Sequence, residues 1–199
     1  MNRITWDKLV SGAAAVIAVV LIVVGASAVY GGNFGRDNVR NRLQPEKVVF
    51  PPYAAMTPAE QQGVGSFAGQ TVDNGPAAEA FARYIAGHLA EVNGGKTYSE
   101  TSAAARVEGL DAATAAELSG KADTLFKGET LRSILLNAYG WWTVATIAMY
   151  VGYGLIAAGL LLAVFAILGF IHARRRNEET VVVESSPTVD KKDLVGAAS

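Results

Sequence analysis

Two stretches decide how this chain folds: LVSGAAAVIAVVLIVVGASAVY over residues 9–30, and WWTVATIAMYVGYGLIAAGLLLAVFAILGFI over residues 141–171. Neither contains Asp, Glu, Lys or Arg. At about 1.5 Å of rise per residue the first extends roughly 33 Å and the second roughly 46 Å, against a bilayer hydrocarbon core of about 30 Å. Each is expected to cross a membrane. The expected fold class is therefore mainly α: a two-transmembrane-helix hairpin with an extracytoplasmic α-helical domain.

Working outward from those runs, the chain divides into a cytoplasmic N-terminus (1–8), a first transmembrane helix (9–30), an extracytoplasmic helical domain (31–130), a long helix carrying the second span (131–172) and a disordered cytoplasmic tail (173–199). Orientation follows from charge. Arg174, Arg175 and Arg176 abut the second run, and the positive-inside rule puts them in the cytoplasm. Arg36, Arg40, Arg42 and Lys47 weaken the bias beside the first run. The expected location is the plasma membrane, multi-pass, with both termini cytoplasmic. Ala26-Ser27-Ala28 also fits a small-x-small cleavage site, which would leave a single anchor; the apolar run is longer than a usual signal core of about 7 to 15 residues, favouring retention.

The formal net charge of -1 over 199 residues supplies no field for nucleic acid. With no cysteine, disulfides, thiolate metal sites and cysteine nucleophiles are excluded.

Between the spans, helical signals come in order. Thr57-Pro58-Ala59-Glu60 reads as a capping box with proline at the first helical position. Asn74-Gly75-Pro76 opens an amphipathic helix, with Ala77, Phe81, Tyr84, Ile85, His88, Leu89 and Val92 at three- and four-residue spacing and Asn93-Gly94-Gly95 as its stop. Residues 96–100 read as a connector. Asp111 caps a helix over 112–127 that buries Leu118, Ala122, Leu125 and Phe126. Gly128-Glu129-Thr130 then opens the last helix, with Tyr139, Trp141 and Trp142 expected in the outer headgroup layer. In that span Gly152, Gly159 and Ala163 are spaced for close helix packing, as are Gly12 to Ala15 and Ala18 in the first.

Chemistry-bearing constellations are scarce. His88 and His172 fall on opposite sides of the expected membrane, so they cannot share a metal. Gly94-Gly95-Lys96-Thr97 ends like a phosphate loop but lacks the preceding strand and glycine spacing. No charged residue lies inside either span to relay protons or ions. No catalytic residue, cofactor or metal site is expected, and the chain is not read as an enzyme.

Residues 43–51 (LQPEKVVFP), Gly75-Pro76, His88, residues 94–100 (GGKTYSE), 125–132 (LFKGETLR) and 135–139 (LLNAY) carry a resemblance over residues 9–172. With these landmarks the chain resembles a group of uncharacterised actinobacterial two-span membrane proteins. The resemblance implies an integral membrane protein of an actinobacterial envelope with an outward helical domain. Relatives are sometimes labelled aromatic ring-opening dioxygenases, but the usual two-histidine-and-carboxylate iron site cannot be assembled here, so no catalytic role is carried over.

The expected function is a structural or accessory membrane protein that contacts envelope or membrane-complex partners, either another protein or further copies of itself, within membrane lipid. The alternative is a lipid or small-molecule binding or sensing module whose pocket is lined by Phe81, Tyr84, Ile85 and Tyr98.

Overall fold

The computed structural model describes the backbone of residues 3–185 and the side chains of residues 6–175. It is mainly α-helical, and no strand is found among the described residues. Among the described residues five α-helices follow one another: α1 (Arg3–Leu43), α2 (Pro58–Val64), α3 (Gly75–Val92), α4 (Tyr98–Ala104) and α5 (Ala112–Ser185). Two of them, α1 and α5, are long and apolar enough to cross a membrane. The chain resolves into two compact units, one of residues 28–150 and one combining the residues up to Ser27 with those from Val151 on.

In the first of these units the small helices fold around Phe50. Residues 48–51 and 69–72 lie antiparallel, with Phe50 N–H donating to Gln70 O at 2.9 Å and Val72 N–H to Val48 O at 2.8 Å. Pro51 and Pro52 keep this segment extended, because proline lacks the donor that a helix interior needs. Phe50 is thereby held in a core with Met56, Val64, Val72, Ala77, Ala78 and Ala80. Its ring meets Phe81 edge-on at 5.0 Å and stacks on Phe67 at 5.5 Å, arrangements worth about 0.5–1.5 kcal/mol each beyond area burial.

Local chemistry sets the helix starts. The Thr57–Glu60 capping box is formed, with Thr57 N–H donating to Glu60 Oε2 at 2.7 Å. Asn74 Oδ1 accepts from Ala77 N–H at 2.9 Å, and Asp111 Oδ1 from Thr114 N–H at 2.9 Å.

Four expectations need correction. First, α1 does not stop near Tyr30; it runs on to Leu43 and ends where Pro45 disfavours further helix and Lys47 turns left-handed at φ 52°. Second, residues 98–104 form α4, not a connector: Thr97 and Glu100 make a second capping box, and Thr101 is fully buried with its hydroxyl donating to Thr97 O at 2.8 Å. Third, no break separates residues 112–127 from the last helix. Gly128 is a packing position, since a Cβ there would collide with Leu89, and the Thr130 hydroxyl donates back to Phe126 O at 2.8 Å in place of capping. Ion pairs Glu117–Lys121, Asp123–Lys127 and Glu129–Arg132 lace this stretch one turn apart. Fourth, the stretch expected to be disordered from residue 173 is helical through Ser185; the rest of it, 186–199, lies outside the described residues.

The other unit is a pair of helical segments running in opposite directions. A Cβ on Gly25 would lie 2.7 Å from Gly152 O, one on Gly159 would lie 2.9 Å from Ala18 O, and Gly169 abuts Ser11. The buried positions fall every seventh residue: Ser11, Ala18 and Gly25 on α1, with Gly152, Gly159, Ala166 and Ala173 on α5. A seven-residue period implies a left-handed supercoil, and the small side chains let the backbones approach closely.

Candidate functional site

A cleft of about 1000 Å³ opens inside the unit of residues 28–150. Its walls come from α1, α3 and α5. Gly32 and Gly35 bring α1 against α5, because Cβ atoms there would sit 2.5 Å and 3.0 Å from Ala145 atoms. Beyond that contact the helices frame the cleft with Phe34 on one side and Leu131, Ile134, Leu135, Ala138, Trp141 and Val144 on the other, while Phe81 and Ile85 of α3 with Val48 and Val72 complete it. Phe34, Ile134, Trp141 and Val144 stay more than half exposed, so the cleft presents a broad apolar surface.

One edge of the cleft is polar. Asn38, Arg42 and Glu46 follow one another at four-residue spacing down the end of α1 and the turn that closes it, and Asn137 faces the cleft from α5. Arg42 Nε donates to Asn38 Oδ1 at 2.8 Å. The end formed by residues 31–35 and 141–148 contributes no charged or amide side chain.

Trp142 buttresses this frame from behind. It is buried while its neighbour Trp141 is 64% exposed, because one residue turns a helix by about 100°. The Arg36 guanidinium lies 4.4 Å from the Trp142 ring centroid and that of Arg40 5.8 Å, both cation–π contacts. A Cβ on Gly75 would overlap Trp142, so only glycine lets α3 begin there. Trp142 is thus a packing residue, held against α1 and the start of α3.

The residues expected to share one pocket are divided among three places. Phe81 and Ile85 line the large cleft. Tyr84 belongs to the Phe50 cluster and meets His88 edge-on at 4.5 Å. Tyr98 sits 5.6 Å from Phe126 and borders a separate, more polar hollow of about 420 Å³ with Ser102, Arg106 and Asp123. The cleft's polar edge was missed, although Asn38, Arg42 and Glu46 are visible in sequence as a row at helical spacing once α1 is carried past Tyr30.

The nearest approach to reactive chemistry is His88 Nε2, 3.1 Å from Glu60 Oε1. Glu60 already accepts from Thr57, and the Thr57 backbone N–H above all, with its hydroxyl and His88 adding to it, holds the carboxyl below its ordinary range. Burial, and secondarily the Glu60 charge, raises the Tyr84 phenol. The pair therefore fastens α2 to α3. Among the described residues no three His, Asp or Glu side chains converge as a metal site.

Of the expected packing positions, Gly159 lies against Ala18 and Ile22, Gly152 offers its carbonyl to the Gly25 position, and both are buried. Ala163 is half-buried, off the seventh-residue series that Ala166 occupies. Gly12 faces open space.

The chain matches no known family, no curated protein and no solved structure.

Proposed function

We propose that this chain is an integral membrane accessory protein of a cell envelope, one that acts by binding and not by catalysis. The observation that carries the reading is the openness of its apolar helices: the most apolar window of α1 is 17% buried and that of α5 11% buried. Such surfaces, with Val16, Val19, Val23, Leu161, Val164 and Phe165 all more than half exposed, call for a hydrocarbon solvent. Backbone groups satisfied within each helix suit them to it. In this reading the spans cross the bilayer with both termini cytoplasmic, and the section between them stands outside.

Because the chain has no cysteine, single replacements report topology cleanly. On intact cells stripped of outer wall, Ser119→Cys is expected to react with a membrane-impermeant maleimide, and Asn177→Cys only after lysis. Protection of Ser119→Cys, or labelling of Asn177→Cys before lysis, would overturn the arrangement.

A second reading, favoured by the cleft, is that the outer unit holds an amphiphile. A volume of about 1000 Å³ is at the upper end for small-molecule sites, which run about 300–1,000 Å³ with apolar walls and a few placed polar groups. The two readings are compatible: an anchored accessory protein can work through a bound lipid.

A further inference from the structure

The polar edge of the cleft carries two opposite charges that do not neutralise each other. Arg42 near the end of α1 and Glu46 in the turn that follows both line it, yet among the described residues neither has an ion-pair partner within 4.0 Å. Glu46 lies past the end of α1 at Leu43, outside the α-helical register in which residues four apart face each other. Asn38 holds the Arg42 side chain through Nε, which leaves the terminal guanidinium nitrogens for another acceptor.

A ligand bearing only negative charge would meet Glu46, and one bearing only positive charge would meet Arg42. A ligand with both satisfies the edge. Opposite that edge the cleft is apolar down to Phe34, Trp141 and Val144. We infer that the cleft takes a membrane amphiphile with a zwitterionic headgroup, its phosphate on Arg42, its primary ammonium on Glu46 and an acyl chain along Phe34 and Val144.

A primary ammonium is specified because a carboxylate gains a charge-assisted hydrogen bond from N–H, which a quaternary ammonium cannot supply. The guanidinium offers phosphate two parallel donors. This assignment rests on the reading that the cleft is occupied by an amphiphile, and the two fail differently.

The test uses the full chain, purified in mild detergent and equilibrated with vesicles containing equal amounts of phosphatidylethanolamine, phosphatidylcholine and phosphatidylglycerol of matched acyl chains, with retained lipid counted by native mass spectrometry. Phosphatidylethanolamine is expected to be enriched about tenfold over the other two. Glu46→Gln should bring it down to the phosphatidylcholine level, a loss of about tenfold, the low end for a charge-assisted hydrogen bond. Arg42→Gln should weaken retention of all three lipids alike. Val144→Trp should block the cleft and abolish retention, with Ile134→Trp as a second blocking variant at another exposed wall position; circular dichroism checks that each keeps its helix content.

Retention that Val144→Trp or Ile134→Trp abolishes, but that shows no preference or favours phosphatidylglycerol, would overturn the headgroup assignment and leave the cleft reading standing. Lipid retention indifferent to both blocking variants, or none by the unmodified chain, would remove the cleft reading and the assignment with it.

Discussion

Gly25→Ala is the sharpest probe of the paired apolar segments. The added Cβ would lie 2.7 Å from the Gly152 carbonyl oxygen and 3.0 Å from the Ile156 backbone nitrogen. Ordinary contact begins near 3.4 Å, so the two backbones must part by roughly 0.7 Å. Rotating Ile156 would clear only its Cγ1, at 2.9 Å; the other two obstructing atoms are main chain and cannot turn away. Overpacking of this kind costs about 1–3 kcal/mol, offset by about 1 kcal/mol of helix propensity gained on replacing glycine, for a net loss of about 0–2 kcal/mol. Gly154 lies on α5 between Gly152 and Ile156, yet a Cβ there would meet nothing within 4 Å. Gly154→Ala should therefore stabilise by up to about 1 kcal/mol. Titration of mixed micelles with denaturing detergent, followed by far-ultraviolet circular dichroism, reads both changes. Equal stabilisation by the two substitutions would refute the close approach of these segments.

Two further outcomes are expected. In Ser11→Cys/Gly169→Cys a disulfide should form on mild oxidation, because a Cβ at 169 lies 3.4 Å from that of Ser11, at the short edge of the about 3.5–4.5 Å usual for disulfides; a mobility shift on a non-reducing gel reports it, and cross-linking no better than in Gly12→Cys/Gly169→Cys would contradict the register. The unit of residues 28–150 should also lose stability in acid. Glu60 and Glu100 are held below their ordinary 4.5 chiefly by the backbone N–H groups of Thr57 and Thr97, and Asp111 below its ordinary 3.8 chiefly by the Thr114 hydroxyl. A carboxyl depressed in the folded state contributes fully above its unfolded value and loses that contribution as pH falls through the folded one. Thermal melts should therefore fall progressively below about pH 4.5, and Glu60→Gln/Glu100→Gln, which keeps the capping acceptor without a titrating group, should flatten that fall. An unchanged acid slope in the double variant would show that the caps do not govern it.

Much of this architecture was legible because the signals are local. Thr57-Pro58-Ala59-Glu60, Asn74-Gly75-Pro76 and Asp111 start helices through hydrogen bonds to N–H groups two or three residues on, so a short window of sequence contains the whole cause. Thr97-Tyr98-Ser99-Glu100 carries the same signal and makes the same box, yet the adjoining Gly94-Gly95 turn masked it. Gly128 misled for the opposite reason: its local meaning is a helix breaker, but its place against Leu89, far off in sequence, makes it a contact. Tyr98 was expected to line one pocket with Phe81, Tyr84 and Ile85, and α4 carries it to Phe126 instead.

By itself the sequence determined that the chain is mainly helical, that two of its helices are long and apolar, and where most of the shorter ones begin. Those properties follow from hydropathy summed along a run and from capping groups a few residues apart. Tertiary structure alone decided which small residues meet: Gly25 with Gly152 and Gly159 with Ala18 in one unit, and Gly32 with Ala145 and Gly75 with Trp142 in the other. It also opened a cleft beside Arg42 and Glu46. Glycine reads alike in a turn, an open face or a helix contact, and only the neighbour brought up by folding tells these apart.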